Sequence, residues 1–130
     1  MNQKKTILAL VAGLLVAVSA NANRAHACVS YIETENQTDH GLWVTIYDPL
    51  KISHLDYGCV APHASRTWCS GDYIPEVSYP IKGELKDTSD CEGTLLWESD
   101  GSTTAYDEDK YVQNADGSYS WDIPPPPPKD

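Results

Sequence analysis

Apolar side chains recur at every second position along much of this chain, and almost nowhere at the spacing of a helix. In Gly41–Asp48, Leu42, Val44 and Ile46 alternate with Trp43, Thr45 and Tyr47. In Val77–Lys86, Val77, Tyr79, Ile81 and Leu85 alternate with Ser78, Pro80, Lys82 and Glu84. A period of two sends such sets to opposite faces of a strand. Turn-forming clusters cut these stretches short: Asn36–Gly41, Asp48-Pro49, Ala61-Pro62-His63, Ser70-Gly71-Asp72 and Ser89-Asp90. The strongest hairpin signal is Asn114-Ala115-Asp116-Gly117, between Lys110–Gln113 and Ser118–Ile123, because Gly117 can take the positive φ of a tight turn. About seven to nine short strands spaced in this way predict an all-β fold, a small antiparallel β-sandwich, with a barrel as the alternative. Pro80 has no N–H to give to a ladder, so its strand is expected at a sheet edge or bulged.

The first residues differ from the rest. Lys4 and Lys5 precede an unbroken apolar run, Ile7–Val18, followed by small-residue patterns ending at Ala20, Ala22 and Ala27. This is the order of parts in a secretory signal peptide, and the run is shorter than the roughly 20 apolar residues that span a bilayer. The organisation expected is a signal over residues 1–22, one β-rich domain over 23–123 and a proline-rich tail over 124–130. Pro124–Pro128 would form an extended rod about 15 Å long. Export to the periplasm or beyond the cell places Cys28, Cys59, Cys69 and Cys91 where disulfides form. No C-x-x-C or H-x-x-x-H spacing offers zinc instead. The expected pairing is Cys59 with Cys69 across a hairpin, and Cys28 with Cys91. Lipidation of Cys28 is disfavoured, because polar residues separate it from the apolar run and Ala25-His26-Ala27 fits a lipobox poorly.

The formal net charge is −10, and Glu84–Asp130 holds 12 acidic residues against 3 basic ones. A surface this negative repels nucleic acid and anionic lipid, so neither is expected as a partner, and no membrane span is expected. It attracts cationic proteins. Asp107-Glu108-Asp109, followed by Asn114, Asp116 and Asp122, raises the question of calcium, but the EF-hand pattern is met only in part. No metal or cofactor is expected. Catalytic patterns are equally thin: His54 and Asp56 lie two apart and would share a strand face, yet no serine lies in a G-x-S-x-G elbow. The chain is expected not to be an enzyme. Asn36-Gln37-Thr38 is a glycosylation sequon in an expected loop, of consequence only in a eukaryotic source.

Aromatic choice is the better guide. The chain has 4 tryptophans, 8 tyrosines and no phenylalanine. Tyrosine and tryptophan join apolar area to a polar handle, which suits wet interfaces and sugar-binding faces. If Leu42, Val44 and Ile46 line the core, Trp43 and Tyr47 face outward, and Tyr31 is expected beside them on the preceding strand. Trp68, Trp97 and Trp121 sit among apolar neighbours and are expected in the core. The functional expectation is an exported binding protein for a protein partner, an inhibitor or immunity-type partner of a cationic enzyme. Tyr31, Trp43 and Tyr47 would be its anchors, and Asp107, Glu108 and Asp109 its steering charge. A carbohydrate-binding module is the rival reading, and a structural envelope protein without a ligand is the third.

Overall fold

The computed structural model describes Cys28–Asp122, so the expected leader and proline-rich tail lie outside the described residues. Eight strands follow in order: β1 (Ile32–Asn36), β2 (Leu42–Tyr47), β3 (His54–Val60), β4 (Ser65–Trp68), β5 (Tyr79–Lys86), β6 (Leu95–Thr103), β7 (Glu108–Gln113) and β8 (Tyr119–Asp122). They form a sandwich of two four-stranded sheets, ordered β4-β1-β7-β8 and β3-β2-β5-β6. All ladders are antiparallel except β1–β7, which is parallel. Gly117 takes φ 90° in the β7–β8 turn, as its place in the hairpin signal requires.

Alternation builds the core directly. Leu42, Val44 and Ile46 of β2 lie beside Tyr79, Ile81 and Leu85 of β5, and all are buried. The opposite sheet supplies Ile32, Trp68 and Tyr111. Gly83 faces the same layer, where an added Cβ would stand 3.0 Å from both Trp121 Cζ2 and Tyr111 Cε1. The absence of a side chain there lets two rings of one sheet lie against the backbone of the other.

Beyond Ile32 the inward stripe of β1, Thr34 and Asn36, is polar yet buried. Trp68 Nε1 donates to Thr34 Oγ1 at 2.9 Å. Asn36 is fully buried, donating from Nδ2 to the carbonyls of His40 and Val60 and accepting from the Thr38 amide and hydroxyl. The sequon is therefore a strand end and turn lock, with its amide nitrogen already occupied and closed to a glycan in the folded protein.

Pro80 corrects the edge expectation. β5 is a central strand, but its ladder with β2 ends at Ile46–Ile81, so Pro80 pairs only with Ser102 of β6. A missing donor is tolerated where one neighbour has already stopped. Cysteine pairing is corrected too. The bridges are Cys28–Cys69 and Cys59–Cys91, with Cα separations of 5.7 and 5.9 Å. β3 and β4 belong to different sheets, so Ala61–Ala64 is a crossover between layers and Cys59 cannot face Cys69 across a hairpin. The Cys28 sulfur is held in its bridge to Cys69. Two disulfides in so small a domain indicate an oxidising, extracytoplasmic environment.

Candidate functional site

The outer face of β2 and β3 carries a cluster of rings. With the aliphatics of β2 turned inward, Trp43, Thr45 and Tyr47 turn outward, and the β2–β3 register sets Trp43 opposite Cys59, Thr45 opposite Tyr57 and Tyr47 opposite His54. The Trp43 and Tyr57 rings lie 6.0 Å apart at 34°. Tyr47 meets His54 edge-on at 5.0 Å, and His54 meets Tyr57 at 6.3 Å. Thr45, although it points outward, is only 5% exposed. It lies between Tyr57 of β3 and Lys82 of β5 in the ladder, while Tyr57 itself remains 60% exposed. Such mutual packing fixes large contact area at little entropic cost on binding.

A hydrogen-bonded loop follows Tyr47 at the end of β2. Asp48 Oδ1 accepts from the Ile52 amide at 2.9 Å, and Oδ2 accepts from the Ser53 amide and hydroxyl at 3.0 and 2.8 Å. The Ile52 amide, then the Ser53 hydroxyl, hold the Asp48 carboxyl below the usual carboxylate range. The loop so tied leaves Leu50 and Ile52 each 79% exposed and turns Lys51 Nζ to 5.3 Å over the Tyr47 ring. On the far side of the face, Lys82 Nζ meets Glu98 Oε1 at 2.7 Å. That bond is the main cause raising the Lys82 ammonium above its usual range.

The sequence-predicted residues are divided among three places. Trp43 and Tyr47 share the ring face. Tyr31 is not their neighbour: it precedes β1 in the opposite sheet and packs edge-on against Tyr106 at 5.3 Å. Asp107, Glu108 and Asp109 do not act as one charged patch, because a strand alternates its side chains. Asp107 accepts from the Thr104 amide and hydroxyl, Glu108 points to solvent, and Asp109 is wholly buried. Thr103 Oγ1 donates to Asp109 Oδ2 at 2.5 Å, while Oδ1 has no partner among the described residues. Burial pushes this carboxyl up to about 7, against the lowering pull of the Thr103 hydroxyl.

Two further expectations are corrected. His54 and Asp56 do not share a face, because a bulge sets Tyr47 opposite His54 but Ile46 opposite Asp56. The extra residue reverses the alternation. His54 joins the outer rings, and Asp56 turns inward to accept from the Tyr73 hydroxyl at 2.5 Å. Trp97 is not core but 42% exposed, near the beginning of β6; Trp68 is buried and Trp121 half-buried. His54 and Tyr57 are the ring-face members that sequence reasoning missed. Only the locked turn at Asp48, which pairs β3 back onto β2, could have disclosed them.

No family model, curated protein or solved structure matches the chain.

Proposed function

We propose that this chain is an exported, non-enzymatic binding protein, periplasmic or secreted, which docks a protein partner on the ring face of β2 and β3. The observation that carries this reading is the run of neighbouring rings Trp43, Tyr57, His54 and Tyr47, followed in the chain by a hydrogen-bonded loop that sets Lys51 over Tyr47 and carries the exposed aliphatics Leu50 and Ile52. Aromatic anchors surrounded by apolar contact area are the usual energetic centre of protein interfaces. Sugar recognition asks for something else, ring faces laid open for stacking. Here Tyr47 and His54 meet edge to face, and Leu50 and Ile52 supply aliphatic area that a sugar hydroxyl cannot use. The net charge of −10 supports a cationic partner, steered to the surface by the field of the whole molecule. An inhibitor or immunity-type role toward a cationic enzyme fits these terms.

The test is retention of envelope and culture-medium components on the immobilised oxidised protein, washed at low and then high salt, beside Trp43→Ala and Tyr57→Ala. A protein held by the parent, eluted by salt and reduced about tenfold or more by either substitution is the expected result. Retention of polysaccharide that survives high salt and needs the same rings would transfer the site to carbohydrate. Retention indifferent to both substitutions would remove the ring face from the function.

A further inference from the structure

The turn between β6 and β7 carries the chain from one sheet to the other, and a buried carboxyl group lies at its foot. Asp109 is fully buried. Thr103, the last residue of β6, donates from Oγ1 to Asp109 Oδ2 at 2.5 Å, and Oδ1 meets no donor among the described residues. Thr34 of β1 stands beside Asp109 in the parallel ladder, and Tyr79 of β5 stands opposite Thr103. Beyond Tyr79 come Tyr73, its ring 5.0 Å away, and Asp56, which accepts from the Tyr73 hydroxyl. The charge that acts on Asp109 is that of Asp107, of the same sign. No cation stands within 4 Å of it among the described residues. An ionised carboxylate here would be buried with a single donor and no counter-charge, a burden that the neutral acid largely escapes.

The turn itself is held to its surroundings by few bonds. Tyr106 has a φ of 70°, a left-handed conformation that a residue with a side chain seldom adopts. Its amide donates to Tyr31 O at 2.6 Å, its hydroxyl donates to Val29 O at 3.2 Å, and its ring meets Tyr31 edge-on. The Glu33 amide donates to Asp107 O at 3.0 Å. Asp107 also accepts from the Thr104 amide and hydroxyl, so the turn is braced within itself and can move as one piece. The segment it leans on is fixed by Cys28–Cys69. We propose that the corner Thr103–Asp109 is a proton-operated latch, closed on the neutral Asp109 carboxyl and opened by loss of its proton, when the Thr104–Asp107 turn leaves Tyr31 and Val29 and water reaches the charge. Burial pushes this carboxyl from 3.8 up to about 7, so the closed corner holds the proton more tightly than the opened one. Opening therefore gains by up to about tenfold per pH unit as pH rises through that window, and levels off above it. This end of the sandwich thus offers a different surface in acid and near neutrality. The ring face lies on the other sheet and takes no part.

The test is amide hydrogen exchange on the oxidised protein, residue by residue, across the window and in low concentrations of urea, with each rate divided by that of an unstructured peptide. Protection at Tyr106 and Glu33 is expected to fall with rising pH by up to about tenfold per unit and then level off. It should not respond to urea, because a local opening exposes little surface, whereas protection at Val44 and Ile81 should fall with urea as global unfolding does. Asp109→Asn cannot ionise and should flatten the pH dependence at Tyr106 and Glu33. Two milder variants serve beside it. Tyr106→Phe deletes the bond to Val29 O and should speed exchange at every pH with the slope intact. Thr103→Val removes the donor that favours the ionised form, so the corner should stay closed to higher pH. Protection at Tyr106 and Glu33 that ignores pH, a slope that survives Asp109→Asn, or exchange there that follows urea as steeply as at Val44 would overturn the proposal, and each leaves the ring-face reading standing.

Discussion

Burial makes the Asp109 carboxyl a titrating part of the core. Below its ordinary value of 3.8 it is protonated whether the chain is folded or not, and its contribution to stability is complete. Between there and about 7 the unfolded chain releases the proton while the folded core retains it, so stability declines as pH rises through that window and levels off above it. Each tenfold difference in proton affinity between the folded and unfolded chain is worth about 1.4 kcal/mol, which makes the whole decline on the order of 4 kcal/mol. Asp109→Asn cannot ionise, and its urea midpoint should lose this slope between pH 4 and 7; an unchanged slope would show that the carboxyl does not titrate in the core. The exposed carboxylates with the opposite tendency, held low chiefly by His63 at Asp39 and by the Glu92 amide at Asp90, are present in both proteins and drop out of the difference. Gly83 tests the other side of the same layer. Gly83→Ala places a methyl group 3.0 Å from two rings and 3.2 Å from Leu42 Cδ1, so β5 must part slightly from β7 and β8, at a cost of about 1–3 kcal/mol in chemical unfolding.

A turn locked by one side chain should loosen locally when that lock is removed. Asp48→Ala deletes the acceptor of the Ile52 and Ser53 amides and of the Ser53 hydroxyl. The expected loss is about 1–2 kcal/mol, with hydrogen exchange accelerated at those two amides but not at Val44 or Ile81 in the strands behind. Protection unchanged at Ile52 would mean that Lys51 and its φ of 57° hold the turn without Asp48. The same hairpin shows what was legible from sequence. Alternation located β2 and β5 and told their faces apart, so the outward placement of Trp43 and Tyr47 followed from the chemistry of Leu42, Val44 and Ile46. It could not tell which sheet a strand joins, and Tyr31 and the cysteines were misplaced for that reason. Nor could it register the bulge that separates His54 from Asp56, or the edge position that leaves Trp97 half in solvent. Three consecutive acids read as a charged patch until the strand's own period turned Asp109 inward.

At the scale of the whole molecule, each disulfide has a different task, and separating them tests the ring face as well as the fold. Cys28–Cys69 ties the segment before β1 to the end of β4, its antiparallel neighbour, over a sequence separation of 41. Cys59–Cys91 ties β3, next to Trp43 in the ladder, to the β5–β6 loop over a separation of 32. Loop entropy in the unfolded chain makes either bridge worth about 4 kcal/mol. Domains of this size have roughly 5–15 kcal/mol in all, so each bridge carries a large share of the stability and loss of both costs about twice as much. Paired substitutions Cys28→Ser with Cys69→Ser, and Cys59→Ser with Cys91→Ser, should therefore lower the melting temperature by similar amounts. Only the second pair should also weaken retention of the partner, because only it anchors the strand that carries His54 and Tyr57. Equal losses of retention from both pairs, in proportion to stability, would mean that the rings need the fold but not the strap. Non-reducing peptide mapping supplies the control: fragments linked through Cys28 and Cys69 are required, and a fragment linking Cys59 to Cys69 would contradict the crossing of the chain between sheets at Ala61–Ala64.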